Sequence, residues 1–408
     1  MKAIQTITLA TAILFGAFTV IAQTWTQTGA PTNLWDSISC SADGKNLIAA
    51  NNFGSLYFST NYGVTWVEAT NGETDGNWVH TGANSADGSV LGAADFISGV
   101  WLSDDSGATW NLANLPSQGG WTALAMSKDG NRIIAARYTE SVAFAHSDPP
   151  NPGLIYISSD SGKSWVTNSL SAHNWVSAAC SADGRVIAIT AAIFDYNTDA
   201  QYPGQLFVST NYGGSWFSDE TMLENWAALT CSADGSTLLA GTVSSSIYSS
   251  TNFGATWLSN SVPDTASGWG SVSMSADGLK WVNLRSNGNA FISTNLGISW
   301  FKLDAPSQKN WNSVAMSADG NRLFAAAYWD GIYTAYFNPS PALDLHSVGN
   351  QPALSWTMPA TNFVLQQSTD MVHWIDVTNP ALLNFTNLHN EVTLPPPSGN
   401  AFFRLKTP

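Results

Sequence analysis

The stretch Ser-Thr-Asn-Phe-Gly-Ala-Thr-Trp at positions 250–257 constrains this chain more than any other feature, because it recurs. Ser59 to Trp66 reads STNYGVTW, Ser103 to Trp110 reads SDDSGATW, and Ser158 to Trp165 reads SSDSGKSW. Ser209 to Trp216 reads STNYGGSW, and Ser293 to Trp300 reads STNLGISW. The shared pattern is Ser-x-Asn/Asp-x-Gly-x-Ser/Thr-Trp, a turn between strands. Asn and Asp hydrogen-bond to backbone amides ahead of them and tolerate unusual backbone angles. Gly supplies positive φ without steric penalty, and the Trp opens the next strand with a large ring to bury. Four copies carry Asn (Asn61, Asn211, Asn252 and Asn295), while Asp105 and Asp160 keep the acid. A calcium site favours several charged oxygens, so the motif is read as a structural turn and no metal is expected.

A second turn recurs ahead of each first one. It reads SADG at Ser41, Ser85, Ser181, Ser232, Ser275 and Ser317, and SKDG at Ser127. Asp-Gly is a strong hairpin signal. A Trp starts the strand before it: Trp35, Trp78, Trp121, Trp175, Trp226, Trp269 and Trp311, at intervals of 43, 43, 54, 51, 43 and 42 residues. Periods of about 40 to 50 residues with several strands each point to a propeller. The seventh unit lacks the eight-residue turn and a fourth strand after it. Thr24-Trp25-Thr26 matches Thr256-Trp257-Leu258, the start of a fourth strand. Residues 24–29 are therefore expected to pair onto the seventh unit and close the ring, which removes an open edge. The expected fold is all-β, a seven-bladed propeller closed by its N-terminal strand.

The eight-residue turn resembles the Asp-box of the sialidase, xyloglucanase and sortilin-type propellers, over residues 24–337. In that family the box joins the third and fourth strands of a blade, away from the active site. The resemblance therefore implies a fold and leaves activity open. Sialidases use an arginine triad for the substrate carboxylate, with a tyrosine and an acidic partner. Here Arg132, Arg185 and Arg322 follow Asp-Gly turns, and only Arg137 and Arg285 lie toward the variable loops. The N-terminal arginine motif of sialidases and the acidic N-terminal motif of the xyloglucanases are both missing. The chain also resembles photosystem assembly propellers of the same repeat class, which use an arginine-rich patch that this chain lacks.

Residues 1–22 read as a secretory signal: Met1-Lys2, an apolar run from Leu9 to Ala22, and a small-residue cleavage pattern at Val20-x-Ala22. Residues 23–338 form the propeller and 339–408 a C-terminal module. That module's strands are expected at residues 353–357, 363–368, 373–377, 391–394 and 401–405, and its pattern resembles a fibronectin-III-like sandwich. No other segment suits a membrane span. Charged residues are 11% of the chain and aromatic ones 12%, and the formal net charge of −15 disfavours nucleic-acid backbones. Cys40, Cys180 and Cys231 each sit just before an Asp-Gly turn, where other repeats put Asn84, Met126, Met274 and Met316. They are read as packed free thiols rather than a disulfide framework or metal site.

The repeats act as an alignment within one chain. What every blade carries serves the fold, and what varies is free to serve function. Seven residues past each Asp-Gly glycine stand Asn51, Asp95, Arg137, Ala191, Thr242, Arg285 and Ala327, a mixed polar ring of the kind a binding mouth has. Two long loops follow this position. One carries Tyr138 and Glu140, the other Asp195, Tyr196, Asp199 and Tyr202, and the seventh unit adds Tyr328, Trp329 and Asp330. Aromatic faces among carboxylates suit sugars, whose C–H faces stack on rings and whose hydroxyls donate to acids. Blade two has one extra residue between its Trp and its turn, which implies a bulge that re-aims His80. The expectation is a secreted, non-catalytic propeller that binds an extracellular glycan or protein ligand, with no cofactor. The competing reading is a glycoside hydrolase with a carboxylate pair on the same face. An inverting pair would stand about 6.5–9.5 Å apart.

Overall fold

The computed structural model describes residues 25–52, 55–69, 79–95, 99–116, 120–137, 153–168, 170, 174–195, 200–244, 246–263, 270–286, 288–337, 344–348, 351–357, 364–370, 373–377, 382–384, 389–394 and 402–406. Residues 1–22, expected as a secretory signal, and Trp78 and Trp269 lie outside them. The chain divides into two compact units, one spanning Ala22–Phe337 and the other including Asn338–Pro408.

The larger unit repeats a four-stranded antiparallel sheet. The first holds Asn33–Cys40, Leu47–Asn51, Leu56–Ser59 and Val67–Glu68. Later sheets begin with the inner strands Val79–Asn84, Trp121–Met126, Asn174–Cys180, Trp226–Cys231, Gly270–Met274 and Trp311–Met316. The last sheet takes its fourth strand from the N-terminus: Trp25–Gln27 pairs antiparallel with Ile332–Tyr336, Trp25 opposite Ala335. The Trp25 ring lies 5.8 Å from that of Trp311. Trp66 stands likewise 6.3 Å from Trp35 in the first sheet.

Each second strand is buried on both faces. Leu47 and Ala49 pack toward Phe324 and Ala326 of the last sheet, whereas Ile48 and Ala50 pack toward Leu91 and Ala93 of the second. This is why these strands read as continuous apolar runs rather than alternating ones. Apolar clusters of this kind fill the gap between each sheet and the next, and between the last and the first. The outer strands are only two or three residues long, which limits the exposed sheet edge.

The Asp-Gly turns build a second link between sheets. The Ala42 N–H donates to the Ala86 carbonyl, Ala86 to Lys128, Lys128 to Ala182, Ala182 to Ala233, Ala233 to Ala276, Ala276 to Ala318, and Ala318 back to Ala42, each at 2.8 Å. Within each turn the Ser is buried because it serves two groups. Ser41 Oγ donates to Asp43 Oδ1 at 2.6 Å and accepts from the Asn46 N–H at 2.9 Å. The turn glycines have φ between 66° and 75°. A side chain there would also strike the preceding sheet, as at Gly88, whose added Cβ would stand 2.4 Å from Asn46 Cβ.

The eight-residue turn places two successive residues at positive φ, for example Tyr62 at 62° and Gly63 at 82°. Ser59 Oγ accepts from the Gly63 N–H, and Asn61 Oδ1 from the Thr65 N–H. Asn and Asp interchange by reversing one bond. Asn61 Nδ2 donates to Thr65 Oγ1, whereas Thr109 Oγ1 donates to Asp105 Oδ2. Several tip residues stack under arginines of a neighbouring sheet: Arg132 over Tyr212, Arg185 over Phe253, and Arg322 over Tyr62. The arginines that follow the Asp-Gly turns thus help hold sheet to sheet.

The smaller unit has two sheets. One orders Asp344–Val348, Gln351–Thr357, His389–Thr393 and Leu382–Asn384, and the other Ile375–Asp376, Val364–Ser368 and Phe402–Lys406. Leu354 and Val392 of the first share a cluster with Leu365 and Phe403 of the second. Strands Asp344–Val348 and Leu382–Asn384 go beyond those expected from the sequence. Its turn at Ser368–His373 repeats the eight-residue logic with one residue fewer: Ser368 Oγ donates to Asp370 Oδ1, which accepts from the His373 N–H.

Candidate functional site

All turns of the repeated kinds lie at one end of the strands of the larger unit, so the variable loops gather at the other. The positions seven past each Asp-Gly glycine share one register, opposite the start of each inner strand: Asn51 faces Trp35, Arg137 faces Trp121 and Thr242 faces Trp226. They do not form an open rim, however. Asp95, Arg137 and Arg285 are 0%, 3% and 1% exposed. Asn51 Oδ1 accepts from the Ser55 N–H and Thr242 Oγ1 from the Ser246 N–H, so in these two sheets the position braces the hairpin above it. Arg285 donates to Asn283 Oδ1, with its guanidinium 5.8 Å from the Phe291 ring centre. Arg137 stands 5.9 Å from that of Tyr156. The sequence shows an equivalent position correctly but gives no sign of its depth, because burial is set by packing between sheets that are distant in the chain.

Two second strands overshoot their sheets. Ile187–Asp195 continues into a hairpin with Ala200–Tyr202, Asp195 opposite Ala200 and Ile193 opposite Tyr202. Tyr196 and Asp199 of that loop, and Tyr138 and Glu140 of the other, lie outside the described residues. In the last sheet Arg322–Asp330 runs on to pair with the first sheet, Tyr328 opposite Leu34 and Asp330 opposite Asn33. Trp329 is the unopposed residue between these pairs. Its φ is 64° and it is 71% exposed. A bulky non-glycine residue there is an outlier, and such backbone strain clusters at functional sites. Tyr328 stands perpendicular to it, ring centres 5.9 Å apart.

Asp330 is held from three sides: by an ion pair with Lys309, by the Tyr333 hydroxyl at 3.2 Å and by the Gly331 N–H at 2.8 Å. Burial alone would raise its pKa. The bonds from Lys309 and Gly331 outweigh that and hold the carboxyl below its ordinary value. A second rim carboxylate, Glu224, was not singled out from the sequence. It accepts from the Tyr248 hydroxyl, a bond that pushes the phenol up to about 12.

The inner strands carry a bulge directly after the Trp position in every sheet but the sixth, as between Trp35/Ser37 and Val79/Thr81. The bulge expected for blade two alone is therefore general. The extra residue there puts Val79 in the register that Trp holds elsewhere, opposite Asp95, and His80 takes the ordinary bulge position. Asp36 and Asn312, the bulge residues of the adjoining first and last sheets, meet across the seam between them, with Asn312 Nδ2 donating to Asp36 Oδ1 at 2.8 Å. Both line an axial chamber of about 270 Å³ bounded by the inner strands of all the sheets. A second chamber of about 230 Å³ continues toward the Asp-Gly turns, where Cys180 and Cys231 line it. Both thiols are free, and burial pushes Cys180 up to about 12. No group of residues suited to hold a metal occurs among the described residues. No described helix is long and apolar enough to cross a membrane.

No protein-family model matches the chain, and no curated protein matches it in sequence. Similar solved structures include YCF48 bound to D1 peptide, at 15% identity and a TM-score of 0.57, covering 83% of this chain and 99% of that one. YCF48 from Cyanidioschyzon merolae is similar at 14% identity and a TM-score of 0.55, covering 76% of this chain and 98% of that one. At these identities the likeness shows the fold. With the repeated four-stranded antiparallel sheets, the larger unit is a β-propeller.

Proposed function

We propose that the chain is an exported, non-catalytic recognition protein that binds an extracellular glycan on its variable-loop face. Its propeller has seven blades closed by the N-terminal strand, and its C-terminal module is a fibronectin-III-like sandwich. The closing pairs of Trp25–Gln27 and the cyclic bonds of the Asp-Gly turns support the closed ring. The signal-like residues 1–22 support export.

The observation that carries the binding reading is Trp329, a large ring held out to solvent on a strained backbone beside Tyr328. An indole face so presented suits stacking against sugar C–H groups. The hydrolase reading needs a rim carboxyl that stays protonated to serve as general acid. Asp330 is poised the other way, kept ionised by Lys309 and its other donors, and Asp95 is fully buried. A protein ligand is the second reading, favoured by the similar structure solved with a bound peptide.

A glycan array run beside a reducing-sugar release assay tests the proposal. Binding without release, lost in Trp329→Ala, is expected. Sugar release abolished by Asp195→Asn or Asp330→Asn would overturn it in favour of the hydrolase. Retention of peptides alone would favour the second reading.

A further inference from the structure

We infer that Lys309 and Asp330 are positioning residues for Trp329: their ion pair holds a hairpin tip in the conformation that stands the indole out to solvent. The inference rests on the recognition reading for what Trp329 does, and on the hairpin alone for how it is held. Trp329 sits at the end of the strand Arg322–Asp330, just before the strand Ile332–Tyr336. The Ala327 N–H closes the loop between them on the Gly331 carbonyl at 3.1 Å. A bulky side chain at a φ of 64° is disfavoured for L-residues. Such a conformation persists only where its surroundings over-determine it.

Here one loop grips the tip on both sides. Residues 303–310 lead from the strand Phe301–Lys302 into Trp311–Met316. At the end of this loop the Asn310 carbonyl accepts from the Tyr328 N–H at 2.8 Å, and the Lys309 ammonium pairs with Asp330. The residue before Trp329 and the residue after it are thus held from adjacent positions of one segment. The loop itself has little slack. Gln308 has a φ of 62°, and a Cβ added to Gly288 would stand 3.1 Å from Gln308 N and 3.3 Å from Lys309 N. The third grip comes from the following strand. The Tyr333 hydroxyl donates to Asp330 Oδ1 at 3.2 Å, and the Lys309 ammonium lies 5.1 Å from the Tyr333 ring centre. Lys309 therefore meets a carboxylate and an aromatic face together. The bond to Asp330 lifts the Lys309 pKa above its ordinary value, so the ammonium stays charged at neutral pH. All these bonds fall on the residues flanking Trp329, whose own ring stays 71% exposed. A tip freed of the ion pair can trade its positive φ for an ordinary backbone angle, and the indole then leaves its present place.

Fluorine NMR on the full chain labelled with 5-fluorotryptophan tests this. The resonance that disappears in Trp329→Phe belongs to Trp329. Lys309→Met and Asp330→Asn are each expected to shift or broaden it while the signals of the buried inner-strand Trp residues stay in place, which also shows that the variants fold. Lys309→Arg, which keeps the charge and the donors, is expected to restore it. The double variant is expected to look no worse than either single one, because both remove the same pair. Cellohexaose is then titrated and followed at the Trp329 resonance. Its affinity is expected to fall about three- to fivefold in Lys309→Met, the upper range for a partly exposed ion pair, and to return in Lys309→Arg. A Trp329 resonance unchanged in both Lys309→Met and Asp330→Asn would overturn the inference. So would unchanged cellohexaose affinity in a variant whose resonance has moved. No cellohexaose shift in the unaltered protein would count against the glycan reading alone, since the ligand-free spectra decide whether the pair holds the tip.

Discussion

Trp329 and Trp226 show how one residue type serves two ends in the same chain. Trp226 is 1% exposed, packs edge-on to Tyr248 and donates its indole N–H to the Gly204 carbonyl at 2.8 Å. Trp226→Ala is expected to cost about 3–5 kcal/mol, read as a lower midpoint in chemical denaturation; a midpoint equal to that of the unaltered protein would refute the packing role. Trp329 sits on the surface, so Trp329→Ala is expected to leave stability within about 0.5 kcal/mol while abolishing ligand retention. Trp329→Gly should be at least as stable as Trp329→Ala, because glycine alone accepts the positive φ without a steric penalty. At this scale the sequence was legible wherever a residue recurs. The inner-strand Trp residues read as packing groups, and the described ones are buried as that reading requires. Depth was not legible. Asp95 and Arg285 look like mouth residues in the string of letters and are buried instead. Asp36 and Asn312 gave no signal at all, since the bulges that bring them together across the seam are set by strand pairing.

At the scale of the turn, side-chain bonds replace long-range contacts. The largest cause that lowers the pKa of Asp129, Asp183 and Asp234 is the hydrogen bond from the turn's own Ser. In the eight-residue turn the bonds from Ser164 and Ser158 bring Asp160 down to about 2. A carboxyl whose pKa is depressed on folding favours the folded state when ionised. That contribution is fully present above the unfolded value near 3.9 and is lost as pH falls through the folded values. Thermal midpoints are thus expected to hold from about pH 7 to 5 with respect to these groups, and to fall between about pH 4 and 2. Asp160→Asn should fold normally at neutral pH, since four sister turns carry Asn, and should make the acid limb shallower. A steeper limb in that variant would contradict the assignment. These turns were the most legible part of the sequence, because their geometry is local. The overshooting strands Ile187–Asp195 and Arg322–Asp330 were not, because they depend on partners in a hairpin or a neighbouring sheet.

At the scale of the whole molecule, the chain's beginning meets the last sheet. Gln27 pairs with Tyr333, the Thr28 N–H donates to the Ile332 carbonyl, and Gly29 passes to the first sheet through the Gly63 carbonyl. Trp25→Ala is expected to cost about 3 kcal/mol, the low end for a packed Trp because its ring is only half-buried, and to lower the cooperativity of unfolding as the seam opens. The match of Trp25 to Trp257 made this contact readable in advance, whereas nothing in the letters showed the cyclic bonds between turns. Native-state hydrogen exchange at those turns tests the closed ring most directly. The amides of Ala42, Ala86, Lys128, Ala182, Ala233, Ala276 and Ala318 each donate at 2.8 Å to the next turn. Equal protection of all of them, with exchange only through global unfolding, is the predicted result. Ala318 exchanging far faster than the other six would mean that the last sheet does not meet the first, and would contradict the account.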